Sequence, residues 1–179
     1  MAAFPTVGRV VLVAVALVIA GCVTPVEKAE APVLTKASIQ ERRLSKLPSG
    51  DVRGFPVTEV VWVHDSGSDV LPVFLAGTPG RRSRGLTGVS SLGEVAGMVF
   101  KWPETSVGSF WMKDTLIPLE IAFIDAEGVV FAVFEMEPCL EEPCPTYKPG
   151  GPYHLAFEWR AGTLAVSVGD VIHLEDTSR

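Results

Sequence analysis

The sequence predicts a mainly β protein, a compact β-sandwich or closed barrel of about eight short strands with one short helix. Short apolar or alternating runs recur along most of the chain, and Gly, Pro, Asp and Ser separate them. After the N-terminus, no second apolar run approaches the length that a membrane span requires. These observations favour short strands joined by tight turns.

Each predicted strand is a run rich in apolar residues and bounded by turn residues. Residues 57–63 and 70–76 flank HDSGSD, a pattern that predicts a hairpin. Residues 125–128, with sequence DAEG, predict a tight turn with glycine where a positive φ is needed. The remaining strands are expected in the runs MVFKW, SFWMK, LEIAFID, VVFAVFE, HLAFEWR and DVIHLE.

One short helix is expected after residue 78. Thr78 suits an N-cap, Pro79 suits the first helical position, and Gly85 suits a left-handed cap at the end. The helix carries three arginines, which form either a solvated helix face or a small anion site with the helix start: Arg81, Arg82 and Arg84.

The N-terminal residues have the pattern of an export signal. Arg9 precedes an apolar run, Val10 to Ala20, that is too short to cross a bilayer as a helix. The run ends in IAGC, which resembles the bacterial lipobox that is cleaved before a diacylated cysteine. We therefore expect residues 1–21 to be a lipoprotein signal peptide, residues 22–54 a lipidated cysteine and flexible tether, and residues 55–179 a single β-rich domain.

Because it directly follows the lipobox, Cys22 is the predicted lipidation site. Several palmitate-type acyl chains on this residue would anchor the protein firmly, whereas a single chain binds a membrane only marginally. Val23 follows where an aspartate often signals inner-membrane retention, so the pattern favours the cell envelope, at an outer membrane facing the periplasm if the organism is Gram-negative. The alternatives are an ordinary signal peptide with a chance cysteine and an uncleaved membrane anchor.

Charge and scattered polar residues narrow the function classes. The formal net charge is −6, and removal of residues 1–21 would make it −7, which argues against a nucleic-acid partner. His64, His154 and His173 lack the spacing of metal ligands, so we expect no metal and no cofactor. Ser109 lacks the nucleophile elbow of a serine hydrolase. We expect a monomer.

Two further cysteines, Cys139 and Cys144, lie in the segment PCLEEPCP. Export would place them in an oxidising compartment, so a structural disulfide is expected. Redox catalysis is the alternative, but reactive dithiols typically have the closer C-x-x-C spacing.

The central segment FWMKDTLIPLEIAFID places charged residues inside an otherwise apolar run. Alternation along strands would let Lys113 face Glu120 across neighbouring strands, beside Trp111. Three interpretations stay open: a strand end with Asp114 capping a turn and Glu120 satisfying buried donors, a ligand site with Trp111 as an apolar wall, and paired carboxylates for glycoside chemistry.

Several short motifs occur in a fixed order between about residues 70 and 174. They are RGL at 84–86, GMVF at 97–100, FWMKDTLIPLEIAFID at 110–125, GVV at 128–130, PC and CPTY between 138 and 147, AG at 161–162 and GD at 169–170. This arrangement resembles the domain of unknown function 192 family, which implies a compact, mostly β fold, often exported or lipid-anchored, with no established activity. The chain departs from the family at residues 87–89, where TGV replaces a pattern with methionine and a nearby arginine.

The sequence therefore predicts a membrane-anchored bacterial lipoprotein with a non-catalytic binding or envelope-interaction domain. Its partners would be the membrane, through Cys22, and a small-molecule or glycan ligand. The alternatives are a hydrolytic or sugar-modifying enzyme that uses Asp114 and Glu120 and a purely structural envelope protein. The candidate ligand-binding residues are Arg84, Trp111, Lys113, Asp114 and Glu120.

Overall fold

The computed structural model describes residues 54–175. The predicted signal peptide, the Cys22 lipidation site and most of the tether lie outside these residues. Within them the chain forms nine strands and one α-helix: β1 Val57–His64, β2 Gly67–Ala76, α1 Pro79–Arg84, β3 Gly97–Ser106, β4 Phe110–Trp111, β5 Leu119–Ile124, β6 Val130–Met136, β7 Thr146–Tyr147, β8 Tyr153–Arg160 and β9 Val171–Leu174. The mainly β prediction with one short helix is confirmed.

Seven strands form one sheet in the order β6-β5-β8-β3-β2-β1-β9, and β4 pairs with β7 in a second, two-stranded sheet. The β2–β3 pair is parallel, whereas the other neighbours are antiparallel. A parallel pair needs a crossover connection. Residues 77–96, which include α1, provide it.

The seven-stranded sheet is not closed into a barrel, so the closed-barrel form of the prediction is wrong for residues 54–175. The edge strands β6 and β9 approach each other through one isolated bridge between Val129 and Val171. There the Ile172 N–H donates to the Gly128 carbonyl at 2.8 Å. One bridge joins the strand ends without forming a ladder.

Both faces of β5, β8 and the first four residues of β3 are buried. One face carries cluster 1, which includes Phe74, Met98, Phe100, Ile121, Phe123 and Ala156. The other carries cluster 2, which includes Val60, Val99, Ala122, Ile124, Phe157 and Trp159. Side chains alternate along β5, so Leu119, Ile121 and Phe123 pack in cluster 1, whereas Ala122 and Ile124 pack in cluster 2.

An aromatic group within cluster 1 holds β4 against the seven-stranded sheet. The Phe110 ring centroid lies 5.0 Å from that of Phe100 and 5.5 Å from that of Phe123. The Tyr153 ring packs 5.0 Å from Phe123, and its hydroxyl accepts a hydrogen bond from Ser106 at 3.2 Å. Burial raises the pKa of Tyr153, so this hydroxyl stays neutral at physiological pH. These contacts fix the position of the Phe110 side chain, and so they also fix the directions in which the adjacent side chains point.

The predicted N-cap and turns are confirmed. Thr78 caps α1 by accepting from the Arg81 N–H at 3.4 Å. Gly85 ends the helix with a positive φ of +47°, but its ψ of −138° lies outside the left-handed helical region, so the predicted left-handed cap holds only for φ. The β1–β2 hairpin pairs His64 with Gly67. In the turn after β5, the Asp125 carboxylate accepts from the Val129 N–H at 2.8 Å.

Gly97 provides a test of the close approach between β3 and β8. A Cβ at this position would lie 2.0 Å from the Glu158 carbonyl oxygen and 2.8 Å from Phe157 Cε2. We expect Gly97→Ala to lower the free energy of unfolding by about 3 kcal/mol or more, because backbone must shift. Urea titration of the purified protein measures this change.

Gly80→Ala is the matched control, since a Cβ there meets nothing within 4 Å. It should be neutral or stabilise by up to about 1 kcal/mol, because alanine favours a helix over glycine. Equal effects of the two substitutions would contradict the proposed backbone clash.

Candidate functional site

The predicted strand SFWMK is shorter than expected and does not join the seven-stranded sheet. Only Phe110 and Trp111 are strand residues, and Trp111 pairs with Thr146 of β7. The chain turns at Asp114, a non-glycine residue with φ +55°. The Asp114 N–H donates to the Cys139 carbonyl, and its carbonyl accepts from the Gly88 N–H, both at 2.8 Å. Two backbone hydrogen bonds therefore hold this unusual conformation.

Trp111 points outward and is 56% exposed, whereas Phe110 and Met112 on either side pack in cluster 1. The Lys113 Nζ lies 5.8 Å from the centroid of the Trp111 ring and forms an ion pair with Glu142. The exposed Leu140 lies in the same loop as Glu142. We call this region the Trp111 surface: Trp111, Lys113, Asp114, Leu140 and Glu142.

The predicted disulfide between Cys139 and Cys144 is confirmed, with an S–S distance of 2.05 Å. It encloses the loop that carries Glu142, and Cys139 forms a backbone bridge with Lys113. The hydrogen bond and charge of Glu142 raise the pKa of Lys113, and Lys113 in turn lowers the pKa of Glu142. Both groups therefore stay charged at neutral pH. The disulfide and the ion pair define the edge of the Trp111 surface.

Glu120 is placed away from the Trp111 surface. Its neighbours Leu119 and Ile121 pack in cluster 1, so alternation directs Glu120 to the opposite face of the sheet. There its Oε1 accepts a hydrogen bond from the Gly162 N–H at 3.0 Å. The expected Lys113–Glu120 pairing is thus replaced by Lys113–Glu142, and Asp114 and Glu120 lie on opposite sides of a sheet.

The three arginines of the predicted helix make structural contacts. Arg81 Nε donates to the Gly54 carbonyl at 3.1 Å. Arg82 Nη1 donates to the carbonyls of Gly77 and Lys101, and its guanidinium lies over Trp102. The Arg84 guanidinium lies 5.1 Å from the centroid of Phe55. Arg84 is therefore a contact between α1 and the first described residues of the domain.

Two of the three histidines, His154 and His173, line one cleft together with Lys101 and Asp125. The sequence pattern did not predict this proximity, because the residues belong to different strands. Within residues 54–175, no group of three or more His, Cys, Asp and Glu side chains could hold a metal ion. In the same part of the chain, no helix is long and apolar enough to cross a membrane.

Glu158 is a buried charged residue that the sequence analysis did not select. It lies in β8 with 4% of its surface exposed, and its ladder partners are Met98 and Ile121 of cluster 1. It forms no side-chain hydrogen bond or ion pair with another described residue. Burial raises the pKa of its carboxyl to about 8. A glutamate within the apolar run HLAFEWR was the available sequence signal.

Glu158 should make the stability of the protein depend on pH. Its pKa lies above the usual value of 4.5, so between pH 4.5 and 8 the folded protein holds a proton that the unfolded chain releases. The contribution of Glu158 to the free energy of unfolding is therefore highest below pH 4.5. It falls by up to about 1.4 kcal/mol per pH unit across this range and is constant above it.

Urea titrations of the wild type and Glu158→Gln across this pH range measure the effect. Glutamine keeps the shape but does not titrate, so the difference between the two proteins isolates Glu158. We expect the stability of the glutamine variant, relative to the wild type, to increase from pH 5 to pH 8. A constant difference would contradict the assignment of a neutral Glu158.

The fold and these residues can be compared with known proteins. The model of the DUF192 family, described as "Uncharacterized ACR", matches residues 61–174. The chain belongs to this family, as the ordered motifs predicted. A comparison with curated proteins gave no match.

Two solved structures share this fold. One is a protein from Sinorhizobium meliloti 1021 that was named a candidate transcription regulator. It has 30% sequence identity and a TM-score of 0.62, and the match covers 70% of this chain and 98% of that one. The other, a protein of unknown function from Novosphingobium aromaticivorans DSM 12444, has 27% identity and a TM-score of 0.62, with coverage of 71% and 91%.

Proposed function

We propose that this protein is a membrane-anchored lipoprotein of the bacterial cell envelope whose β domain is a non-catalytic module that binds a glycan on the Trp111 surface. The domain that we propose for this role is a β-sandwich. In it, the β4–β7 sheet covers cluster 1 on the seven-stranded sheet, since Phe110 of β4 and Tyr147 of β7 both pack against that cluster.

The exposed Trp111 ring is the observation that supports this proposal most directly. An indole that is 56% exposed on a firmly held strand offers a flat apolar face at little cost in conformational entropy. Lys113, which lies over the ring, and its ion-pair partner Glu142 add a donor and an acceptor beside that face. A sugar ring has an apolar face and a rim of hydroxyls, so its chemistry fits this combination.

The positions of the carboxylates favour binding over catalysis. Paired-carboxylate mechanisms need both groups on one substrate within about 10 Å. Asp114 lies in a segment that packs on cluster 1, whereas Glu120 lies on the other face of the sheet and accepts from the Gly162 N–H. This arrangement gives no support to an enzyme that uses these two residues together.

The name of the Sinorhizobium protein concerns gene regulation, but the charge of this chain favours a different partner. Nucleic-acid binding needs basic groups that contact phosphates. The chain has a formal net charge of −6, and Arg81 and Arg82 donate to backbone carbonyls. A proposed membrane anchor at Cys22 and the disulfide also fit an exported protein.

Titration with a soluble chito-oligosaccharide tests the proposed ligand class. We expect the wild type to show saturable quenching of tryptophan fluorescence, because a sugar would stack on the exposed indole. Trp111→Ala should lose this response while its free energy of unfolding changes by about 1 kcal/mol or less, since the side chain is exposed. Unchanged binding by Trp111→Ala, or no binding by the wild type, would rule out this glycan site.

Phe110→Ala is the control for stability. Phe110 precedes Trp111 but packs among aromatic rings of cluster 1. We expect it to cost about 3 kcal/mol through the cavity that it leaves. The contrast between the neighbouring substitutions separates loss of a ligand contact from loss of the fold.

Cys22→Ser tests the membrane anchor separately. If Cys22 is acylated, this variant should lose the incorporation of labelled palmitate and should move to the soluble fraction on cell fractionation. Cys139→Ser with Cys144→Ser is a control that removes the other cysteines and should keep the label. Undiminished labelling of Cys22→Ser would contradict the lipoprotein assignment.

A further inference from the structure

Three polar side chains at the β1–β2 hairpin form a hydrogen-bonded chain that is centred on His64. The Ser66 hydroxyl lies 2.8 Å from His64 Nδ1, and Asp69 Oδ2 lies 3.0 Å from His64 Nε2. His64 ends β1, Ser66 lies in the turn, and Asp69 lies in β2. This group shares no residue with the Trp111 surface and does not depend on the proposed glycan site.

The hydrogen bond with Asp69 determines how the imidazole can act on Ser66. An ionised carboxylate only accepts hydrogen bonds, so His64 Nε2 carries the proton that the 3.0 Å contact needs. In a neutral imidazole the other nitrogen, Nδ1, is then unprotonated and accepts a hydrogen bond. Ser66 is therefore the donor, and its O–H points at a nitrogen that can take the proton.

The imidazole is held in this position by its neighbours. Its ring centroid lies 4.3 Å from that of Trp62, at an interplanar angle of 35°. Trp62 is itself buried, and its Nε1 donates to Asp170 Oδ2 at 2.8 Å. The His64 side chain is 18% exposed, whereas Ser66 lies on the surface. A stacked and largely enclosed base thus contacts a hydroxyl that a reagent in solution can reach.

The turn also supplies hydrogen-bond donors beside Ser66. The N–H groups of Asp65 and Ser66, which lie between the paired residues His64 and Gly67, donate to no backbone carbonyl of residues 54–175. Backbone N–H groups next to a nucleophile commonly stabilise the oxyanion that forms during acyl transfer. A nucleophile, a base, an orienting carboxylate and amide donors therefore occur within residues 64–69.

We propose that Ser66 is an activated nucleophile that accepts an acyl group from an activated ester. The Ser66 Oγ attacks the ester carbonyl while its proton passes to His64 Nδ1, and the Asp69 carboxylate stabilises the imidazolium. The tetrahedral intermediate then releases the alcohol, which takes the proton from His64 Nδ1. The bond between the carbonyl carbon and the alcohol oxygen breaks, and a serine ester forms without any other reactant.

Ser68 is a matched control in the same hairpin. It is exposed, as Ser66 is, but it pairs with Val63, so alternation along the strands directs it to the face opposite to His64. Asp69, in contrast, pairs with Trp62 and shares the face of His64. A difference in reactivity between the two serines therefore reports the contact of Ser66 with the imidazole.

The probe is p-nitrophenyl acetate, and tandem mass spectrometry of the full-length protein after short reaction times is the measurement. We expect Ser66 to gain an acetyl group about 100-fold faster than Ser68, because a positioned general base contributes at least that much. The exposed Lys148 reacts without this base and provides an internal reference. Trp111→Ala should be acetylated at Ser66 as the wild type is, which separates this site from the proposed glycan site.

Two variants test the roles of the other residues. His64→Gln should lower the rate at Ser66 by about 100-fold, because glutamine can form a hydrogen bond but cannot take the proton. Asp69→Asn should lower it by about tenfold or more, since the amide can donate to Nε2 and leave the imidazole proton on Nδ1. The rate at Lys148 should stay unchanged in both variants. Equal rates at Ser66 and Ser68 in the wild type, or a wild-type rate at Ser66 in His64→Gln, would overturn the proposal.

Discussion

The burial of both faces of β5, β8 and the start of β3 is the constraint on which the rest of the structure depends. If such a strand shifted by one residue, every side chain that packs in cluster 1 would face cluster 2, and the reverse. Gly97 allows β3 to approach the Glu158 carbonyl closely and fixes this register. The register then determines that Glu120 faces away from the Trp111 surface and that Glu158 faces the crossover segment.

Local sequence patterns predicted much of the fold because their physical causes are local. The hairpin at His64–Gly67, the Thr78 cap and the turn at Gly128 each depend on residues within a few positions of one another. The disulfide was predictable from the export that the N-terminal pattern predicts and from the number of cysteines. Sheet order was not, because β4 leaves the central pattern after two residues and pairs with β7 instead.

The candidate site was predicted in part for the same reason. Trp111, Lys113 and Asp114 are close in sequence, and an apolar run with outward polar residues marked them. The partner of Lys113 is Glu142, which lies 29 residues further along the chain. Asp114, which the sequence analysis considered as a turn residue, turns the chain with a positive φ that aspartate adopts more readily than most residues other than glycine. The turn itself could be predicted, but the distant partner of Lys113 could not. Alternation along the strands therefore suggested Glu120 as the partner of Lys113, although Glu120 lies on the face of the sheet opposite to the Trp111 surface.

Glu158 was overlooked because alternation carries no information in a strand that is buried on both faces. A neutral carboxyl without a hydrogen-bond partner costs about 1–3 kcal/mol in such a place, and an ionised one costs more. Burial of this carboxyl therefore lowers the stability of the folded protein, and it does so more at alkaline pH, where the carboxyl would ionise.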